Sequence, residues 1–387
     1  MTSTALAEPA SADSQSRTIK VAIVDDSAVV RGLVARWIDE EPELEVCGRF
    51  ANGKLAVEGV ARMSPDIIIL DIEMPVMDGL AALPGLLQNA PDARIVMAST
   101  LTRRNAEVSL KALSLGATDY IPKPESNRGI TTSMEFRNEL ISKIKALGQA
   151  RKGTAKVSMP PAGQAPAPAP AAGEELAASA GKPTFTLRAF STVRPRILAI
   201  GSSTGGPQAL AALMGIIAPS IRNTPVVITQ HMPATFTAIL AERLGRLTGL
   251  PAREGEDGEP LLPGHIYVAR GGMHMALASK DGNVAIRVYD GELVNFCKPA
   301  VDPLFQSVAE TFGRSALALV LTGMGHDGAA GGKVIADAGG SVIAQDQATS
   351  VVWGMPGATA AAGACAAVLP IDQVGVKVNA LIAGGAV

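Results

Sequence analysis

The sequence predicts an α/β protein of two domains, each built on a doubly wound parallel sheet, the second carrying an antiparallel hairpin. Three observations predict this. Short apolar strand patterns alternate with helical patterns through both halves of the chain. A stretch from Arg151 to Lys182 holds almost no large apolar residues and cannot bury a core; its APAPAP piece favours an extended spacer. Polar clusters stand just past the apolar strands, where open α/β sheets carry their ligands.

In the first half, Lys20–Val24 reads as a strand and Ser27–Glu40 as a helix. Leu44–Phe50 is a second strand, followed by a helix through Ala61. Asp66–Leu70 (DIIIL) is almost fully apolar, the pattern of a parallel strand covered on both faces. Arg94–Ala98 and Thr118–Ile121 are strands four and five, and Met134–Leu147 is a closing helix. The second domain is entered around Val193. Ile197–Ile200 is a strand running into GSSTGGP, then a helix from Gln208 to Ile217. Pro225–Thr229 is a strand that ends at Gln230 and His231. Ile266–Ala269, Met275–Ala278 and Val284–Val288 suggest antiparallel strands, the last two joined across Asp281-Gly282. Ser315–Leu321 runs into TGMGHDG and a helical stretch to Ala338, and Ser341–Ala344 is a further strand.

Composition excludes several classes. The chain has 387 residues and a formal net charge of -2, against a protein that binds nucleic acid by bulk charge. Aromatics are 3%, too few for base-stacking or carbohydrate-binding walls. Cys47, Cys297 and Cys365 are far apart and odd in number, so no disulfide framework is expected and the compartment is read as reducing and cytoplasmic. Met1–Arg17 lacks the apolar core of a signal peptide. The most apolar run, Ala316–Leu321, is far below the roughly 20 residues a bilayer requires, so no direct membrane insertion is expected.

Asp25 and Asp26 end the first strand and Asp71 the third; Ser99 and Thr100 follow the fourth, and Lys123 the fifth. Gathered carboxylates repel one another unless a cation is present, and hard oxygen ligands suit Mg²⁺. A carboxylate can attack phosphorus to give an acyl phosphate, with Mg²⁺, a lysine and a hydroxyl neutralising the phosphoryl oxygens. Each of these residues alone reads as a helix cap or a solvated side chain. The ordered set, with VDDS, LDIEMPVMDGL and YIPKP, resembles a response-regulator receiver domain over about Ile19 to Leu147. The resemblance implies a flavodoxin-like fold with a five-stranded parallel sheet and Asp71 as the phosphorylated residue. It further implies Mg²⁺ held by Asp26, Asp71 and the Glu73 carbonyl with Asp25 assisting through water, Ser99 and Lys123 on the phosphoryl group, and Tyr120 at the aromatic switch position.

In the second half, Ser203 lies in a glycine-rich turn between strand and helix, over a helix N-terminus that favours negative charge. No lysine follows Gly206 as a P-loop requires, and Ser203 stands where a dinucleotide fingerprint needs glycine. Gly201 to Gly205 spell G-x-S-x-G, but the order Ser203, His231, Asp327 differs from the usual order of the α/β-hydrolase fold. Taken alone, Ser203 reads as a tight turn, His231 as a structural histidine and Asp327 as an N-cap. Converging at strand ends, they would perform acyl transfer: Ser203 attacks, His231 takes its proton and Asp327 orients the imidazole. Glycines around Met324 leave backbone N–H groups free to face an oxyanion.

From about Arg196 onward the chain resembles the catalytic domain of the CheB family, through IGSSTGG, QHMP, GHIYVARGGMHM, CKPAVDPLF and LTGMGHDG. The resemblance implies a Rossmann-like hydrolytic domain and carries the triad to Ser203, His231 and Asp327, the oxyanion contact to Met324 and a site-shaping role to Thr204. It implies a protein-glutamate methylesterase that releases methanol from glutamyl esters of methyl-accepting chemotaxis receptors and also deamidates selected glutamines. It also implies a CheA-type chemotaxis histidine kinase as phosphodonor. The layout is then a tail at 1–17, a receiver at 18–148, a linker at 149–193 and a catalytic domain at 194–387.

His326 stands beside the acid as a second imidazole. His265 and His274 make no HExxH-like spacing, so no catalytic metal is expected in the second domain. His274 and Met273 are read as lining the cleft or the hairpin. Cys297 is read as cleft-lining or structural, with a nucleophilic role as the alternative. Met232, Met275, Met324 and Met355 suit either the core or an adaptable partner surface. The rival functions are a phosphorylation-dependent binding module with a degenerate hydrolase domain, and a transcription factor, for which no helix-turn-helix signal is present.

Overall fold

The computed structural model describes residues 18–123, 130–152, 185–280 and 282–384. The predicted tail at 1–17, most of the predicted linker, Pro124 and the Asp281 half of the predicted turn lie outside the described residues.

The N-terminal elements are β1 (Ile19–Val24), α1 (Ala28–Asp39), β2 (Leu44–Phe50), α2 (Gly53–Met63), β3 (Ile67–Asp71), α3 (Gly79–Asn89), β4 (Arg94–Ser99), α4 (Arg103–Ser114), β5 (Asp119–Pro122) and α5 (Ile130–Lys152). They make a five-stranded sheet in the order β2-β1-β3-β4-β5, the flavodoxin-like topology. Every residue of β3 is buried, as its unbroken apolar run requires. Ser27, Asn52, Asp78 and Thr102 cap α1 to α4 by accepting backbone N–H groups that the first turn leaves unpaired. Gly79 opens α3 against the backbone of Asp71; a Cβ there would lie 2.1 Å from the Asp71 carbonyl oxygen. Only glycine lets the chain fold back so closely onto the end of β3. Helix α5 runs beyond both ends of the predicted Met134–Leu147.

A buried ion pair ties α5 to β5. Lys143 Nζ lies 2.9 Å from Asp119 Oδ2, their side chains 12% and 2% exposed, and donates to the Tyr120 carbonyl at 2.7 Å. Burial alone would lower the Lys143 pKa, but the charge of Asp119 raises it on balance. Lys143→Ala would strand a buried carboxylate and is expected to cost about 3–5 kcal/mol. Urea denaturation of the full chain, followed through the receiver's transition, measures this; a loss below about 1 kcal/mol would mean that water reaches Asp119.

The C-terminal elements are β6 (Ile197–Ser202), α6 (Gly206–Ile217), β7 (Val226–Gln230), α7 (Ala234–Thr248), β8 (Ala252–Glu254), β9 (Ile266–Val268), β10 (His274–Lys280), β11 (Asn283–Tyr289) and α8 (Val301–Phe312). There follow β12 (Ala316–Val320), α9 (Ala329–Asp337), β13 (Ser341–Gln345), α10 (Met355–Ala361), β14 (Ala367–Leu369) and α11 (Ile371–Ala383). Seven strands form one sheet in the order β14-β13-β12-β6-β7-β9-β8. The order reverses between β6 and β12, and the crevice above that switch point is where such folds place a ligand. β10 and β11 pair antiparallel as a separate hairpin, as predicted.

One strand differs from expectation. β9 pairs parallel with β7 and β8 rather than joining the hairpin. Its partner Val226–Ile228 lies 40 positions upstream (266 − 226), and a short apolar run does not reveal the direction of a distant partner. The core beneath the site gathers Tyr267, Met275, Phe305, Val320 and Met355, each fully buried. Met232 is buried as well, so of the four methionines only Met324 is half-exposed. His274 lies in the core at 1% exposure, its Nε2 bonded to the Glu292 carbonyl and its Nδ1 accepting the Ala300 N–H. That makes it a structural residue of the hairpin rather than part of a cleft wall.

Candidate active site and acidic pocket

β6 delivers Ser203, β7 delivers His231, and the turn after β12 delivers Asp327. Gln230 fixes the serine turn: its Oε1 accepts the Ser202 hydroxyl at 2.7 Å and its Nε2 donates to the Ser203 carbonyl at 2.9 Å. A Cβ on Gly206 would lie 1.9 Å from that Oε1, so the turn needs glycine there. Ser202 is thus fully buried with its hydroxyl spent, while Ser203 is half-exposed. Gly205 takes a left-handed φ of +73° and α6 starts immediately beyond it, the Gly206 N–H donating back to the Ser203 carbonyl at 2.7 Å and Pro207 having none to donate.

His231 Nε2 lies 2.8 Å from Asp327 Oδ2. Asp327 is not the cap of α9; that helix starts after Gly328, whose φ is +91°. Its carboxylate instead accepts the Val301 and Asp302 N–H groups at 2.6 and 3.1 Å. Those are the first amides of α8, which has no side-chain cap of its own. Asn295 Nδ2 donates to Oδ1 at 3.0 Å. Burial would raise the Asp327 pKa, but the His231 hydrogen bond and charge, with these donors, hold it below the usual carboxylate range. For His231 burial would lower the pKa, yet the hydrogen bonds to Asp327 and Cys297 outweigh it and lift it to about 9.

With Nε2 committed to Asp327, Nδ1 is the nitrogen left to take a proton. Among the described residues no hydrogen bond joins the Ser203 hydroxyl to it; Cys297 Sγ lies 3.4 Å from Nδ1 instead. A serine that passed its proton to Nδ1 would have to approach it when substrate enters, a tightening common between free and occupied hydrolytic sites. Gly323 lies against the serine, since a Cβ there would fall 2.9 Å from Ser203 Cβ. The next N–H, that of Met324, has no acceptor among the described residues. Thr204 is buried, its carbonyl accepting the Thr322 hydroxyl at 2.9 Å, which fastens the serine turn to the turn after β12 that carries Met324. His326 is exposed beside the site.

Asn295 is the residue that sequence reasoning did not place; Cys297, read as cleft-lining or structural with a nucleophilic role as the alternative, stands beside the imidazole. They belong to a two-residue turn, Val294 to Cys297, closed by hydrogen bonds of 3.1 and 2.9 Å. Asn295 and Phe296 both have positive φ, 52° and 62°. The turn aims Cys297 at the imidazole and leaves Phe296 94% exposed.

In the N-terminal sheet, Asp25, Asp26 and Asp71 offer carboxylate oxygens within 4.8 Å of one another. Asp25 and Asp71 are buried and Asp26 is exposed. Glu73 follows in the loop after β3 and is exposed. Three hard oxygen donors at this spacing fit a small divalent cation such as Mg²⁺. Ser99 ends β4, its hydroxyl accepting from Ser109 at 3.1 Å, and Lys123, just past β5, donates its N–H to the Ser99 carbonyl at 2.7 Å. Tyr120 is buried, its ring stacked on Phe236 at a centroid distance of 4.4 Å.

Fold and sites together define a receiver domain joined to an α/β hydrolytic domain. A model of the response regulator receiver domain matches residues 21–135, and one of CheB methylesterase matches 198–378. A protein-glutamate methylesterase/protein-glutamine glutaminase of group 2 operon from Bradyrhizobium diazoefficiens is 54% identical over 95% of this chain and 94% of that protein. A protein-glutamate methylesterase/protein-glutamine glutaminase 1 from Rhodospirillum rubrum is 49% identical over 92% of this chain and 93% of its own. Among solved structures, the Thermotoga maritima CheB methylesterase catalytic domain is 39% identical, covering 49% of this chain and 100% of that one at a TM-score of 0.47. The chain belongs to the CheB methylesterase family and carries that family's methylesterase domain behind a receiver domain. Among the described residues no helix is long and apolar enough to cross a membrane.

Proposed function

We propose that the chain hydrolyses methyl esters of glutamyl residues on methyl-accepting chemotaxis receptors and releases methanol. Ser203 attacks the ester carbonyl while His231 Nδ1 takes its proton. Asp327 holds the resulting imidazolium, and the Met324 N–H receives the oxyanion. His231 returns the proton to methoxide; water then cleaves the glutamyl-enzyme ester by the same route. A glutamine amide reacts likewise, with ammonia leaving. The observation that carries this reading is the 2.8 Å His231–Asp327 pair at the strand end beside Ser203.

Asp71 is the proposed phosphoacceptor within a receiver spanning 18–148, served by a CheA-type kinase. Asp25, Asp26, Asp71 and the Glu73 carbonyl would hold Mg²⁺, which neutralises phosphoryl charge; Ser99 and Lys123 contact the phosphoryl group. Tyr120 is the proposed switch residue, and its stack on Phe236 supports this. Phe236 lies in the first turn of α7, just after His231. Phosphorylation then shifts the catalytic domain at 194–387 toward an open population.

Methanol release from methylated receptor membranes tests both halves. A small phosphodonor with Mg²⁺ is expected to stimulate the wild type, and Asp71→Asn is expected to lose that stimulation. Stimulation that persists in Asp71→Asn would remove Asp71 as the acceptor. Normal receptor binding without methanol release from any sample would favour the binding module.

A further inference from the structure

Cys297 is tied to the reaction centre in a way that the esterase chemistry does not use. Its sulfur lies 3.4 Å from His231 Nδ1, and the far nitrogen of that ring lies 2.8 Å from Asp327. Thiol, imidazole and carboxylate therefore form a continuous chain, the arrangement that activates a cysteine by passing its proton to an adjacent base. The same three side chains make up a compact donor cluster within 4.8 Å. The sulfur is half-buried rather than sealed. The turn that presents it holds Asn295 and Phe296 at positive φ, a conformation that costs non-glycine residues energy and persists only where the surroundings impose it.

The other two thiols provide an internal contrast. Burial pushes Cys47 up to about 11 and Cys365 up to about 12. Neither has an imidazole beside it. Both stay protonated at neutral pH and are poor nucleophiles.

We propose that Cys297 is a site of reversible oxidation by hydroperoxides, through which the hydrolase is switched off. His231 Nδ1 accepts the thiol proton and the sulfur attacks the terminal oxygen of the peroxide. An S–O bond forms as the O–O bond breaks, and the proton returns to the departing hydroxide or alkoxide. The products are a sulfenic acid and water or an alcohol. The new hydroxyl stands between the sulfur and Nδ1, the position that Ser203 must reach, and the imidazole loses access to the serine. A thiol reductant restores the original side chain.

The inference rests on the esterase reading only for its activity consequence; the oxidation itself is read by mass. The full chain is treated with hydrogen peroxide in the presence of dimedone and digested. Cys297 is expected to take the dimedone adduct at least about tenfold faster than Cys47 or Cys365. His231→Gln, which removes the base, is expected to slow that labelling about tenfold. In parallel, peroxide without dimedone should abolish methanol release by the wild type and dithiothreitol should restore it. Cys297→Ala and Cys297→Ser should each keep their own untreated rate. Equal labelling of Cys47, or unchanged Cys297 labelling in His231→Gln, would overturn the proposal. So would full activity in protein whose Cys297 is completely oxidised. The labelling arms stand even if no methanol is released, so a wrong substrate and a wrong redox site give different results.

Discussion

Ser203→Ala is expected to lower methanol release by about 10⁴-fold or more, because it deletes the atom that forms the ester with the glutamyl group. Folding should be untouched. The hydroxyl is half-exposed and takes part in no hydrogen bond among the described residues, whereas the backbone of the turn is held by Gln230 and Thr322. Ser202→Ala is the informative control. That hydroxyl is buried and donates to Gln230 at 2.7 Å, so its loss should cost stability of about 0.5–1.5 kcal/mol and leave most of the chemistry. Release that survives in Ser203→Ala would discard the assigned nucleophile. Cys297 would then be the next candidate, as the group that touches His231, and a Ser203→Ala/Cys297→Ala double substitution would decide it.

The placement of Ser203, His231 and Asp327 past the ends of apolar strands was legible because parallel topology brings such ends to one edge. Local pattern could not supply their pairing partners. As an Asp-Gly before a helix, Asp327 has the signature of a cap, yet its carboxylate serves α8, whose first amides lie 26 positions upstream (327 − 301). The helix that needs a cap and the residue that caps it are remote in sequence. Asn295, and the contact of Cys297 with His231, were hidden for a different reason. A two-residue turn with both φ values positive is signalled in sequence by Asn-Gly or Asp-Gly. Here the central pair is Asn-Phe, which carries no such signal. Likewise β8 has three residues and no periodicity to detect, and α7 follows Pro233 without a polar side chain at its cap.

The N-terminal sheet was readable almost throughout, and the difference is physical. Its strands alternate regularly with helices whose polar N-caps are Ser27, Asn52, Asp78 and Thr102, so sequence signals mark each boundary. In the C-terminal sheet α6, α7, α8, α9 and α11 start without a side-chain cap. Three of these termini take groups distant in the chain: Asp327 for α8, Asp302 for α9 and Thr349 for α11. A fold that borrows its caps over long range gives fewer local cues, and here the borrowed cap is also the carboxylate paired with His231.

Asp327→Asn tests that double duty through the pH profile. The His231 imidazole sits at about 9 because the Asp327 hydrogen bond, with the Cys297 contact, outweighs burial. Only the neutral ring can accept the serine proton, so kcat/KM of the wild type should climb about tenfold per pH unit below that value and level off above it. An asparagine keeps the shape but removes the negative charge that stabilises the imidazolium. The folded pKa of His231 must then fall, because the Cys297 contact alone remains to oppose burial. The profile should reach its plateau at a lower pH than the wild type, at a height lower by about 10⁴-fold. These effects have opposite signs near pH 6, where the variant loses the charge that orients the ring yet gains a larger neutral fraction. The ratio of wild-type to variant rates should therefore grow between pH 6 and pH 9. A constant ratio across that range would mean that Asp327 does not set the charge state of His231, and the 2.8 Å contact would be structural alone.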